Sequence, residues 1–163
     1  MSDTKSTTAK VTTAYLALGS NIGDRAANLR KGCQLLAAHA GIKIVARSAI
    51  YETQSVEGGG PDDFLNAALR LQTTLSAEAL LEAIQAVERQ MGRPQPPRHG
   101  PRLIDIDILM FGDEEMDTPN LKLPHPRMSK RAFVLRPLCD VLEGGWVRPS
   151  DQSWEENYAE NNV

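Results

Sequence analysis

Long apolar runs are missing from this sequence. No stretch approaches the roughly 20 apolar residues that a membrane span needs, and the N-terminus, MSDTKSTTAK, is polar where an export leader would carry an apolar core. A membrane partner is therefore not expected, and the cytoplasm is the expected location. Cysteine is equally sparse, with Cys33 and Cys139 the only two. They have no CxxC spacing and no Cys/His cluster around them, so both read as small core fillers in a reduced protein. Charge of one sign is lacking too. The net charge of -3 and a pI near 5.6 give no broad basic field for nucleic acid, so any anion site must be local. Nucleotide signatures are also missing: the stretch from Gly19 to Gly23, GSNIG, is neither GxGxxG nor GxxxxGKS/T and reads as a tight turn with an N-cap. No Ser/His/Asp order and no activated cysteine points to covalent catalysis.

What is present suffices for one domain, since 163 residues at 41% hydrophobic content can bury a substantial core. Residues 1–12, rich in Ser, Thr and Lys without periodicity, are expected to be a disordered tail. Residues 151–163 are expected to be a loosely ordered acidic one, leaving 13–150 as the folded unit. Thr13 to Leu18 reads as a buried strand, followed by a helix from Asp24 with Leu29, Cys33, Leu36 and Ala40 at helical spacing and Gly41 as its stop. Ile42 to Thr53, rich in Ile, Val, Tyr and Thr, reads as a second strand. After the flexible Glu57 to Pro61 stretch, Phe64 to Thr73 alternates. Leu65, Ala67, Leu69 and Leu71 share one face, and Asn66, Arg70 and Gln72 share the other. Ser76 is a good N-cap for a helix whose stripe is Leu80, Ile84, Val87 and Met91, ended by Gly92. Leu103 to Phe111 is a fourth strand. The order predicts an α+β, ferredoxin-like βαββαβ fold, an antiparallel sheet with helices on one face. A C-terminal extension follows, in which Ser129 caps a short helix through Leu135 that Pro137 limits.

The chemistry is concentrated around the fourth strand. In Ile104-Asp105-Ile106-Asp107-Ile108, a period of two sets both carboxylates on one face and the isoleucines on the other. The Cα atoms of the two acids are then roughly 6 to 7 Å apart, which suits a pair that jointly holds hard cations bridging phosphates. The bland alternative is a solvated strand face, disfavoured because paired acids in so apolar a segment repel each other unless a cation or arginine compensates. The preceding stretch, residues 93–102, has four prolines and three arginines, Arg93, Arg98 and Arg102. Guanidinium groups grip phosphate oxygens bidentately, so acids and arginines together match a polyphosphate bound with Mg²⁺. A phosphohydrolase and a catalytically silent binding module of the same fold are the competing readings. The loops at 53–61 and 93–101 are expected to open and close around substrates.

Four blocks, AYLALGSNIGD (14–24), FLNAAL (64–69), GPRLIDIDILMFG (100–112) and LPHPRMSKRAFVLRPL (123–138), resemble 6-hydroxymethyl-7,8-dihydropterin pyrophosphokinases. The resemblance implies transfer of pyrophosphate from ATP to 6-hydroxymethyl-7,8-dihydropterin in tetrahydrofolate biosynthesis, with two Mg²⁺ ions, by a cytoplasmic enzyme expected to be a monomer. By the same resemblance Asp105 and Asp107 bind magnesium, and Arg93 and Arg102 join them in catalysis. Glu88, Arg98, Arg102, Ile108, His125 and Arg131 contact ATP. Phe64 and Phe133 sandwich the pterin ring, while Thr53, Asn66 and the backbone around Val56 form hydrogen bonds with it. His99 and Pro126 stand where some members carry tryptophan and tyrosine.

Overall fold

Strand β1, Thr12–Ser20, lies inside the sheet with β5, Asp105–Phe111, on one side and β4, Phe64–Thr73, on the other. Both pairings are antiparallel. This computed structural model describes residues 10–53, 64–92, 103–126, 128, 132–142 and 158–160, with backbone alone at 53, 132, 133 and 158–160. Helices α1, Arg25–Ala37, and α2, Ala77–Gln90, start where capping side chains release them from the chain. Asp24 accepts a hydrogen bond from the Ala27 N–H at 3.1 Å, and Ser76 accepts one from Ala79, also at 3.1 Å. Gly92, with φ of 97°, takes the left-handed conformation that ends α2.

The stretch expected as one strand from Ile42 to Thr53 is two strands, β2, Ile42–Arg47, and β3, Ile50–Thr53. Both pair antiparallel with β4. The break falls at Ser48, whose hydroxyl enters the ladder: it accepts from the Ala68 N–H at 2.8 Å and donates to the Ala49 carbonyl at 2.6 Å. The Ala49 N–H donates instead to Asp140 Oδ2 at 3.0 Å. The first helix also differs from expectation. It stops at Ala37, short of Ala40 and Gly41, and Gly41 is there for close approach, since a Cβ would stand 2.9 Å from Leu75 Cδ2.

Past β5, a small ribbon of β6, Met116–Asp117, and β7, Lys122–Leu123, leads to α3, Ala132–Val141. The helix does not end near Leu135 as expected but continues through Pro137 to Val141. A proline there removes one intrahelical bond, and packing together with side-chain anchors makes up for it: Arg70 donates to the Val141 carbonyl at 3.0 Å. Near the end of the chain, where a loose tail is expected, β8, Tyr158–Glu160, pairs parallel with β3.

The sheet therefore carries two unequal layers. On one face Leu16, Leu18, Leu65, Leu69, Leu71, Ile106 and Ile108 pack against Leu29, Leu36, Leu80 and Ile84 of α1 and α2. Each such fully buried aliphatic side chain contributes about 1.5–3 kcal/mol. On the other, a smaller cluster of Tyr15, Ala46, Ala68 and Leu109 meets Leu138 and Val141 of α3. Helices α1 and α2 thus share one face, and α3 covers part of the opposite one. Cys33 is buried as a core filler, but Cys139 is exposed, because it falls on the outer side of α3.

Candidate active site on the open sheet face

The face that α3 only partly covers is ordered by the strand register. Tyr51 of β3 stands opposite Asn66 of β4, Asn66 opposite Gly19 of β1, and Gly19 opposite Asp105 of β5. Residues directly opposite one another in a sheet point to the same side, so these four form one row. A second row holds Ala68, Ala17 and Asp107, and Thr53 stands opposite Phe64 at the sheet's end. One surface therefore carries an amide, two carboxylates and an aromatic ring.

Gly19 is the floor of this surface. A Cβ there would come 3.2 Å from Asn66 Oδ1 and 3.7 Å from Phe64 Cδ1, so any side chain would crowd the Asn66 amide and the Phe64 ring. The glycine read as the start of a turn is a strand residue whose missing side chain makes room. The turn itself comes later, around Gly23 with φ of 68°. Behind it Asn28 Nδ2 donates to Ser20 Oγ at 3.1 Å and to the Ile22 carbonyl at 2.9 Å, tying the end of β1 to α1.

Strand β5 separates chemistry from packing residue by residue. Ile104, Ile106 and Ile108 are buried at 1%, 5% and 4% exposure, while Asp105 is half-buried and Asp107 exposed. The acids thus project from the open face at the spacing the alternation requires. Ile108, expected near ATP, has its side chain in the sealed core, so only its backbone can face a ligand. Glu88 sits on α2 at the same buried level, 4% exposed, and accepts the Ile106 N–H at 2.9 Å. Its carboxylate holds β5 from the sealed side and does not join the row of the two aspartates. His125 is half-buried, and its backbone N–H donates to the Leu109 carbonyl at 2.9 Å, where the pairing of β1 and β5 shifts register. The bulge at Leu109 turns that carbonyl outward and draws the 124–126 segment onto β5.

The structure thus brings together Phe64, Asn66, Asp105 and Asp107 on one face, with the Thr53 backbone at its end and Phe133 in the first turn of α3. Val56, Arg93, Arg98, Arg102 and Arg131 lie outside the described residues, as do most of the two loops expected to move. Sequence reasoning missed Gly19, although its place after a strand of small and apolar residues was a usable signal. It also missed the buried Asp140, whose partners lie far away in the chain. Among the described residues no three His, Cys, Asp or Glu side chains gather into a metal cage. Two hard carboxylate oxygens on one exposed face nevertheless fit Mg²⁺, which commonly takes one or two protein carboxylates and completes its shell with water and substrate phosphates.

A largely antiparallel sheet with two helices on one face and a pair of acids on the other defines a protein of mixed α and β structure with a candidate site on the sheet. The profile of the 7,8-dihydro-6-hydroxymethylpterin-pyrophosphokinase (HPPK) family matches residues 15–143, and the chain belongs to that family. It is 45% identical over 130 residues to the 2-amino-4-hydroxy-6-hydroxymethyldihydropteridine pyrophosphokinase of Bacillus subtilis, covering 80% of this chain and 78% of the relative. It is 46% identical over 131 residues to the enzyme of the same name from Methylorubrum extorquens, covering 80% and 83%. In fold it resembles a Plasmodium falciparum HPPK-DHPS structure, with a TM-score of 0.64 at 18% identity, over 83% of this chain and 41% of that one.

Proposed function

We propose that this chain transfers a pyrophosphoryl group from ATP to 6-hydroxymethyl-7,8-dihydropterin, releasing AMP, in the synthesis of tetrahydrofolate. The observation that carries the reading is the shared face of Asn66, Gly19, Asp105 and Asp107, fixed by the register of three strands. Strand order β5-β1-β4 with β2 and β3 beyond β4 supports a ferredoxin-like topology for the βαββαβ unit.

Asn66 and the Gly19 floor receive the flat heterocycle, since an amide offers both a donor and an acceptor to a pterin edge. Phe64 lies beside that floor, and Phe133 is assigned the opposite ring face, as suits a planar π system. Asp105 and Asp107 hold Mg²⁺, two ions in this reading. When bound, the metal neutralises charge on the triphosphate and on the group in transfer. Both acids also keep their carboxylates within one strand, which fixes the place of the phosphates relative to the pterin alcohol. Arg93, Arg98, Arg102, His125 and Arg131 are assigned to the phosphates, and Arg93 and Arg102 to the charge that develops in transfer. Glu88 supports β5, and Ile108 offers ATP its backbone alone. All of these groups come from one chain, in keeping with a monomer. Two free thiols support a reducing compartment, and the cytoplasm is the proposed location. No helix among the described residues is long and apolar enough to cross a membrane.

The test is AMP formation from ATP with and without the pterin alcohol and Mg²⁺. AMP that appears only with both supports transfer. Phosphate or pyrophosphate released without the pterin would return the site to a phosphohydrolase.

A further inference from the structure

Asp140 is a charged side chain in a place where packing alone could do the work. It lies on α3 at 5% exposure, next to Leu138 and Val141, which already bury α3 against the sheet. A carboxylate so buried is costly unless donors surround it, and here they do. Oδ2 accepts the Ala49 N–H at 3.0 Å and the Tyr51 hydroxyl at 2.8 Å, while Oδ1 faces Arg136 Nη1 at 3.4 Å. The Arg136 guanidinium also stacks 5.1 Å from the centre of the Tyr51 ring.

Every member of this cluster converges on β3 where it meets the candidate site. The Ala49 N–H fixes the break between β2 and β3, and therefore where β3 begins. Tyr51, 4% exposed, is the direct cross-strand neighbour of Asn66. Cβ atoms of such neighbours are about 5 Å apart, so a ring held at its hydroxyl forms a fixed wall beside the Asn66 amide. An amide reads a heterocycle only if its oxygen and nitrogen keep one orientation.

We infer that Asp140 and Tyr51 are positioning residues for pterin recognition, which lock the wall beside Asn66 from α3 without touching the substrate. The inference rests on the assignment of Asn66 to the pterin, and it makes α3 part of the specificity apparatus.

The experiment compares wild type, Tyr51→Phe and Asp140→Ala by KM for the pterin alcohol, KM for ATP, kcat and thermal midpoint. Asp140→Ala is expected to raise the pterin KM about tenfold or more and Tyr51→Phe about threefold, the scale of one or two lost hydrogen bonds. KM for ATP and kcat at saturation should stay within about twofold, because neither residue faces the phosphates. A selective rise in pterin KM supports the inference. Equal rises in both KM values, or a lower midpoint with unchanged KM values, would make the cluster a plain anchor for α3 and overturn it. If Asp140→Ala fails to fold, Tyr51→Phe, which removes one oxygen, still decides. Wild-type protein that forms no AMP would defeat the underlying reading of the reaction, an outcome distinct from equal KM changes in an active enzyme.

Discussion

The two faces of the central sheet are made from the same strands and have little else in common. On the sealed face, Leu16, Leu69, Leu80 and Ile84 are essentially without solvent contact, and the buried polar strand side chains Ser20 and Thr73 stand at the ends of the aliphatic rows, each hydrogen-bonded. On the other face, the same β1 and β4 carry Gly19 and Asn66, both buried, and β5 turns from isoleucine to aspartate at every second residue, with Asp105 half-buried and Asp107 exposed. The difference teaches that a strand can assign stability and chemistry to alternate residues, so that each can be changed with little effect on the other.

The sharpest break of that comparison is at the acids. Asp105→Ala and Asp107→Ala are each expected to lower AMP turnover by about a thousandfold, because the charge of the transferring group loses its main compensation. Unfolding in urea should show a change of less than about 1 kcal/mol, since relief of repulsion between like charges offsets the loss of each acid's own contacts. On the opposite face the signs reverse. Leu16→Ala should lose about 2–5 kcal/mol in the same unfolding measurement, with kcat and both KM values unchanged for the fraction that is folded. If turnover in this variant fell while stability held, the two faces would not be separable.

A smaller effect tests the floor. Gly19→Ala places a methyl group 3.2 Å from Asn66 Oδ1, and the pterin KM should rise about tenfold, equivalent to about 1.4 kcal/mol of binding. Stability should move by less than about 1 kcal/mol, because alanine limits the unfolded chain more than glycine does. Equilibrium binding of pterin alongside urea unfolding checks both. The smallest effect distinguishes the two cysteines. Burial pushes the Cys33 thiol up to about 12, with Arg47 acting weakly in the other direction, while Cys139 is exposed. A thiol reagent at neutral pH is expected to label Cys139 quickly and Cys33 only on unfolding, and rapid labelling of both would show that the core beneath α1 opens easily.

Much of this was legible beforehand because it is local. Alternation in Ile104 to Ile108 and in Leu65 to Leu71 fixed which side of β5 and β4 is buried, and Ser76 and Asp24 announced their helices. The motif blocks put Asp105, Asp107, Asn66 and Phe64 into one family. What was not legible depends on distant partners. The break at Ser48 requires Asp140, 91 residues beyond Ala49, and β-rich composition on either side of Ser48 gives no hint of it. Pro137 suggested a helix end, but α3 passes through it because Arg70 and Asp140 anchor its last turn. Gly19 looked like a turn residue, and only the cross-strand position of Asn66 and Phe64 shows why it is a glycine.

The most direct test of the claim that the open face is the active site is a crystal structure with Mg²⁺, a nonhydrolysable ATP analogue and the pterin alcohol. The pterin is expected to lie over Gly19 beside Asn66, with magnesium bound to Asp105 and Asp107 between it and the triphosphate. Ligands held on the side of α1 and α2, or metal bound without either aspartate, would contradict the account.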